Sequence, residues 1–181
     1  MLNRLFLVLI CALFFLKGEA KITLTSIWGD NMVLQQQSNV TFYGKASPGK
    51  RVQVSASWDH RKISTVSSQD GQWKLTLPTP KAGKDTYTIT FSDGEELTLK
   101  NILVGEVWLC SGQSNMEMPM KGFRGQPVFN SLPYIVAANP QRPMRLYTVK
   151  NAWSTTPKED GIEGKWSETT SEEVANFSAT A

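Results

Sequence analysis

The sequence predicts a β-sandwich followed by the start of an α/β domain. Three observations lead to this prediction. Short apolar or alternating segments recur between Lys21 and Val104, and groups of Gly, Pro, Asn and Asp residues separate them. After Lys100 the pattern changes to the nearly continuous apolar run 101–110, which is typical of a strand buried on both faces of a parallel sheet.

The first predicted domain spans residues 21–100 and holds about eight strands, as expected of a sandwich of the jelly-roll or immunoglobulin-like kind. Segments such as Ser47–Gly49 and Gln69–Gly71 supply the fixed or positive φ angles of tight turns. No stretch in this region keeps helical spacing. The predicted strands are Lys21–Ile27, Met32–Leu34, Val40–Tyr43, Arg51–Trp58, Lys62–Val66, Gln72–Leu77, Thr86–Phe91 and Glu96–Leu103.

The second predicted domain, residues 101–181, is expected to be an incomplete α/β unit. Its first strand leads into a tight turn and a predicted helix at Met116, and a second buried strand is predicted at Arg145–Val149. A further helix is predicted from Val174 onward. Two long segments between these elements, 121–141 and 150–170, are rich in Pro, Gly, Asn, Ser and Thr and are predicted to be loops.

Composition is that of an ordinary globular protein, with 40% hydrophobic and 19% charged residues and a net charge of +3 among 181 residues. This balance gives no sign of nucleic-acid binding. Residues 1–20 resemble a cleaved signal peptide, because Arg4 precedes the apolar run Leu5–Leu16 and small residues surround Glu19. The run is too short for a membrane anchor, which needs about 20 apolar residues. We therefore expect a secreted or periplasmic protein without a membrane anchor after cleavage. Cys110 is the only cysteine outside residues 1–20, so we also expect no internal disulfide.

The segment Gly105–Pro119 carries the main candidate for catalysis. Ser114 is predicted to lie at the end of a strand, where a serine nucleophile must be exposed. Gly112 removes a side chain that would crowd the turn, and a helix after the turn would direct N–H groups at an oxyanion. The pattern Gly-x-Ser-x-Gly of a nucleophile elbow is not met, because Met116 replaces the second Gly. On this pattern alone, an ordinary Gly-x-Ser turn without a catalytic role is the better interpretation.

A resemblance favours the catalytic interpretation. The whole of Gly105–Pro119 resembles the nucleophile block of the sialate O-acetylesterase family, in the SGNH-hydrolase superfamily. Asp30–Gln35 and Asp70–Trp73 resemble parts of the β-sandwich that precedes the esterase domain in that family, and Phe177–Ala179 resembles the start of a later helix. The resemblance covers residues 21–181 and implies that the second domain is the start of a flavodoxin-like esterase domain.

The resemblance implies hydrolysis of O-acetyl esters on carbohydrates through an acyl-serine intermediate, without a metal or cofactor. It assigns Ser114 as the nucleophile and one oxyanion donor, and Gly112, Gln113 and Asn115 as residues that shape the turn and the oxyanion site. The family's catalytic His and Asp and its other oxyanion donors have no counterpart in the sequence. We therefore expect this chain to be an N-terminal portion that is nearly inactive by itself.

For the remaining candidates, a structural interpretation is better than a functional one. His60 is the only histidine and is expected in a polar turn between two strands rather than at the site. Cys110 is expected to be buried, and Glu106 and Glu117 to make local hydrogen bonds. Three tryptophans could stack on sugars but are expected in the core: Trp28, Trp58 and Trp73.

Two other functions stay open at this point. The first is a glycan-binding β-sandwich module with a degenerate, non-catalytic esterase remnant. The second is an acetylesterase with the same acyl-serine chemistry that acts on plant polysaccharides such as acetylated xylan or pectin.

Overall fold

The computed structural model of the chain describes residues 21–156 and 163–181. The predicted signal peptide lies outside the described residues and stays a prediction. Among the helices that are described, none has the length and apolar character needed to cross a membrane.

All eight strands predicted in the first domain are present, and their bounds differ from the predicted ones by a few residues at most. Alternation of buried and exposed side chains is clearest in β6, where Trp73, Leu75 and Leu77 are buried. The strands are β1 (Thr23–Leu24), β2 (Val33–Gln35), β3 (Asn39–Lys45), β4 (Arg51–Ala56), β5 (Lys62–Val66), β6 (Gln72–Pro78), β7 (Tyr87–Ser92) and β8 (Glu96–Gly105).

These strands form two sheets, one antiparallel and one mixed. The first sheet has the order β1-β3-β6, and the second has the order β2-β8-β7-β4-β5. All pairings are antiparallel except that of β2 with β8, which is parallel. Side chains from both sheets form one hydrophobic core, in which the rings of Phe42 and Phe91 lie 5.5 Å apart. The β-rich character of this region is therefore confirmed as mixed and antiparallel sheets.

The three tryptophans of this region pack in or against that core. Trp73 is buried, whereas Trp28 and Trp58 are partly buried against the same cluster. The Trp28 ring lies 4.6 Å from Phe42, and the Trp58 ring lies 5.4 Å from Tyr87. Packing, rather than a sugar-stacking surface, is thus the role that the structure shows for these rings.

The first apolar run of the second predicted domain differs from the prediction. Strand β8 crosses the position predicted as the domain boundary and ends at Gly105, so residues 106–110 are not part of a buried strand. Val107, Trp108 and Leu109 are exposed, because no other sheet strand lies beside this stretch among the described residues. The division into two domains itself stays a prediction.

In the second half of the chain, the described residues form one two-stranded sheet and three short helices. Strand β9 (Arg145–Val149) is present with its predicted bounds, but the prediction that it is buried is wrong, because β10 (Gly164–Glu168) is its only partner strand among the described residues and its last two residues are exposed. The pairing with β10, which was predicted to be loop, is antiparallel. Helix α1 (Ser131–Val136) also lies in a predicted loop. Ser114–Glu117 forms a single 3₁₀ helix.

The prediction of a helix from Val174 onward is wrong in its bounds. Helix α2 spans Ser171–Asn176, and at Phe177 the backbone becomes extended. It begins earlier because the Thr170 hydroxyl accepts a hydrogen bond from the Glu173 N–H at 3.2 Å and so caps the helix.

The β9–β10 hairpin is held against the first sheets by a polar network. The Arg145 side chain is 4% exposed and lies 3.5 Å from the Glu168 carboxylate. The Asn101 amide contacts both, at 3.2 Å to Arg145 Nη2 and 2.9 Å to Glu168 Oε1. Nearby, the Trp166 indole N–H donates to the Ile27 carbonyl at 2.8 Å. The hairpin is therefore fixed to strand β8 and to the loop after β1.

Candidate active site

The sequence blocks 30–35 and 105–119 come together in the structure. Strand β2 lies beside the end of β8, with Val33 opposite Leu103 and Gln35 opposite Gly105. The Asp30 carboxylate accepts a hydrogen bond from the Lys100 N–H at 2.7 Å. The segments 30–35 and 105–119, which carry the family resemblance, are thus joined through a parallel strand pair.

Glu106 anchors the segment that leaves β8. Its carboxylate accepts hydrogen bonds from the side-chain amides of Gln36 at 2.5 Å and Gln35 at 3.1 Å. The Gln35 side-chain oxygen in turn accepts from the Val107 N–H at 2.9 Å. The hydrogen bonds from Gln36 and then Gln35 hold the pKa of Glu106 below its ordinary value of 4.5. The expected local hydrogen bonding of Glu106 is confirmed.

Replacing Glu106 by Gln is expected to reduce the acid sensitivity of the chain. A carboxylate whose pKa is lower in the folded state stabilises that state above its unfolded pKa, and this contribution disappears as the pH falls through the folded pKa. The thermal midpoint of the parent should therefore fall more steeply below pH 4.5 than that of Glu106→Gln. Equal slopes, measured by circular dichroism, would contradict this assignment; Glu96→Gln, on the exposed start of β8, is the control.

Beyond Val107 the chain runs exposed to the candidate nucleophile. Cys110 is exposed, so the prediction that it is a buried packing residue is wrong. The physical reason is that β8 ends five residues earlier, at Gly105, and leaves Cys110 outside any strand.

Ser114 is the first residue of the 3₁₀ helix and its side chain is exposed. Within the described part of the chain, neither its hydroxyl nor the N–H groups of Ser114 and Asn115 have a hydrogen-bond partner. The next donors are occupied, because the Met116 N–H donates to Gln113 O at 2.9 Å and the Met118 N–H to Asn115 O at 3.3 Å. The turn thus offers one exposed hydroxyl beside two uncommitted N–H groups.

The turn after Ser114 is tighter and shorter than predicted. A four-residue 3₁₀ helix replaces the expected longer helix, and at Met118 the backbone is already extended. The electrostatic contribution of a helix macrodipole is therefore small here, and individual N–H groups are what the turn can offer to an anion.

The chain after the turn pairs with the end of α2 and the residues that follow it. The Met120 N–H donates to Phe177 O at 2.8 Å, the Lys121 N–H to Ala175 O at 2.9 Å, and the Ala179 N–H to Met118 O at 2.8 Å. The Lys121 ammonium also donates to the Asn176 side chain at 2.5 Å. This pairing was not predicted from the sequence, although Phe177–Ala179 is one of the segments that carry the resemblance.

Two further candidates lie where the sequence placed them. Glu117 accepts a hydrogen bond from the Asn151 side chain at 2.9 Å, which confirms a local role. His60 is exposed in the turn between β4 and β5, where it has a left-handed φ of 55° and its backbone N–H donates to Ala56 O at 2.9 Å. The structure therefore confirms a polar turn and shows no contact between His60 and Ser114.

The described residues include no cluster of three or more His, Cys, Asp or Glu side chains placed to hold a metal ion. They show five groups with a shifted pKa, and of these only Glu106 lies on the segment that leads from β8 to Ser114.

Comparison with known proteins defines the class first. No protein-family model matches the chain. A crystal structure of a carbohydrate acetylesterase from Xanthomonas citri superposes with a TM-score of 0.79 at 31% identity, covering 88% of this chain and 35% of that one. Most of this chain is therefore similar to part of a carbohydrate acetylesterase.

The curated relatives indicate a narrower class of acetylesterase. The human sialate O-acetylesterase is 26% identical over 158 residues, which are 81% of this chain and 29% of the human protein. The rat sialate O-acetylesterase is 28% identical over 150 residues, or 77% of this chain and 27% of the rat protein. The chain thus spans less than a third of the length of these relatives. The resemblance to the sialate O-acetylesterase family is confirmed, over a portion of those proteins.

Proposed function

We propose that the chain supplies the nucleophile of a carbohydrate O-acetylesterase, with Ser114 as that nucleophile. One observation carries the proposal: Ser114 is exposed on a tight turn beside two N–H groups that have no protein acceptor among the described residues. A serine hydroxyl and uncommitted N–H donors are the two groups that acyl transfer requires at one place. Relatives named as acetylesterases support the same chemistry.

In the proposed reaction, Ser114 Oγ attacks the carbonyl carbon of the acetyl ester. Its proton passes to a base, and negative charge develops on the carbonyl oxygen, where the N–H of Ser114 donates a hydrogen bond; Gly112, Gln113 and Asn115 shape this turn. The C–O bond between the carbonyl carbon and the sugar oxygen then breaks, the sugar oxygen leaves as a hydroxyl after accepting a proton, and the acetyl group remains on Ser114 Oγ as an ester. Water releases acetate and regenerates the hydroxyl.

The base is proposed to be a residue other than those that the structure places near Ser114. Its hydroxyl has no hydrogen-bond partner among the described residues, and His60 hydrogen-bonds within its own turn. A serine hydroxyl without a base is a poor nucleophile at neutral pH. The resemblance implies a His oriented by an Asp in this role, and we expect the chain to be nearly inactive without them.

We also propose the finer architecture and the place of action. The two sheets of residues 23–105 are proposed to be the sandwich that precedes the esterase domain, and the segment around Ser114 the start of a flavodoxin-like, SGNH-type domain. The signal-peptide pattern of residues 1–20 supports export. Trp28, Trp58 and Trp73 pack in or against the core, so these three rings give no support to the alternative of a non-catalytic glycan-binding module.

A chimera tests this function. Residues 21–181 would replace the matched portion of the Xanthomonas citri acetylesterase, whose remaining chain would follow Ala181. We expect the folded chimera to release acetate from O-acetylated carbohydrate, and a comparison of 9-O-acetylated sialic acid with acetylated xylan would identify the preferred class of sugar. A chimera that folds but releases no acetate from either substrate would contradict the proposed function.

A further inference from the structure

We infer that Met116 and Thr180 form a lock that positions the Ser114 turn. The two residues come from opposite ends of the second half of the chain, and neither touches the reacting atoms. The role that we give to this lock rests on the proposed function of Ser114. The contacts that define the lock do not depend on any ester chemistry.

The first half of the lock is the contact between Met116 and Gly112. A Cβ atom added at Gly112 would lie 2.7 Å from Met116 Cγ and 3.6 Å from its sulfur. Real Cβ atoms are not found so close to a neighbouring carbon, so the Met116 side chain occupies the space that a larger residue at 112 would need. The Met116 thioether therefore packs against the backbone two residues before Ser114.

The second half of the lock is the hydroxyl of Thr180. Its Oγ1 atom lies 3.3 Å from the carbonyl oxygen of Asn115 and 3.1 Å from the sulfur of Met116. One hydroxyl proton is thus shared between two acceptors of the 3₁₀ turn, one on the backbone and one on a side chain. The hydroxyl is in turn 3.3 Å from Ser178 Oγ, which can donate to it.

The backbone pairing brings Thr180 to this place. The Ala179 N–H donates to Met118 O, and Pro119 lies opposite Ser178, so Thr180 is next to the pairing and reaches back over the turn. Met116 therefore has a role of its own at the position of the second Gly in Gly-x-Ser-x-Gly. Its side chain fills the space that a glycine would leave open, and its sulfur accepts a hydrogen bond from the Thr180 hydroxyl. A turn held in this way fixes the backbone that carries the Ser114 hydroxyl and its N–H group, and acyl transfer needs both at one place.

Amide hydrogen exchange of the 181-residue chain tests the lock. The reporters are the N–H groups of Met116 and Met118, which are hydrogen-bonded inside the turn. Thr180→Val keeps the shape of the side chain and removes the hydroxyl, so we expect both amides to exchange about fivefold faster, the effect of losing one ordinary hydrogen bond. Thr180→Ser keeps the hydroxyl and is expected to restore the parent rates.

Thr88→Val is the matched control, because Thr88 is an exposed threonine of β7 outside the turn. It should leave the exchange of Met116 and Met118 unchanged, and the thermal midpoint of the sheets should be the same in all variants. Unchanged exchange in Thr180→Val would overturn the inference, as would equal acceleration in Thr180→Ser. Since no ester is present, failure of the chimera to release acetate would count against the proposed function and leave this result intact.

Discussion

Ser114→Ala in the chimera is expected to lower the rate of acetate release by on the order of 10⁴-fold or more, the usual cost of removing a catalytic serine. Ser114 Oγ is the atom that attacks the ester. Without it, only substrate binding and the N–H donors would contribute to the rate. The rate would be measured with p-nitrophenyl acetate and with an O-acetylated sugar. Circular dichroism would show that the variant is folded, as expected for an exposed side chain.

Two matched variants make this prediction specific. Ser111→Ala removes an exposed hydroxyl three residues earlier in the same segment, and His60→Ala removes the only histidine of this chain. Both should keep the parent rate. In the 181-residue chain alone, the parent and all three variants should be equally slow. Strong hydrolysis by that chain, lost in His60→Ala, would mean that His60 is the base and would contradict the proposed site.

A chain of residues 21–106 is expected to fold, whereas a chain of residues 21–100 is expected to be largely unfolded. The shorter chain loses the second half of β8, including Ile102, which is completely buried in the core cluster. It also loses the whole pairing partner of β2 and hydrogen bonds such as that from Leu103 N–H to Met32 O at 3.0 Å.

The magnitude of this loss decides the outcome. Burial of one aliphatic side chain contributes about 1.5–3 kcal/mol and each strand hydrogen bond about 1 kcal/mol. Residues 101–105 include three buried aliphatic side chains, Ile102, Leu103 and Val104, so the total loss is on the order of 10 kcal/mol. A small domain has only about 5–15 kcal/mol of net stability. Thermal unfolding of both chains, followed by circular dichroism, checks this. A cooperative transition in the 21–100 chain at the same temperature as in the 21–106 chain would contradict the strand assignment.

The first sheets could be predicted because their signals are local. Strand β5 has the predicted bounds, Lys62–Val66, since polar turn residues flank a short alternating run. The end of strand β8 was predicted wrongly. Its alternating first part and its apolar second part look like two different strands, so the second part was assigned to a separate strand. Strand β10 was missed because Gly164–Glu168 is short and polar and depends on pairing with β9 and on the bond of Trp166 to Ile27.

Of the candidate site, only Ser114 could be predicted from the sequence, and the residues that hold its turn could not. Ser114 followed from a sequence pattern and a resemblance, but the partners that hold its turn are 60 or more residues away in the sequence, at 175–180. One signal for this region was available: Thr170 with Glu173 fits the pattern of a helix start, and it would have placed α2 correctly. The exposure of Cys110 had no local signal, because apolar runs indicate burial only when a neighbouring strand is present.

The most direct test of the central claim is to find the acetyl group on Ser114. The chimera would be mixed with p-nitrophenyl acetate, quenched in acid within the first turnover, digested and analysed by mass spectrometry. The account predicts one added acetyl group on the peptide that contains Ser114, located on that residue by fragmentation, and none in Ser114→Ala. An acetyl group on Ser111 or on another residue, with Ser114 unmodified during rapid turnover, would contradict it.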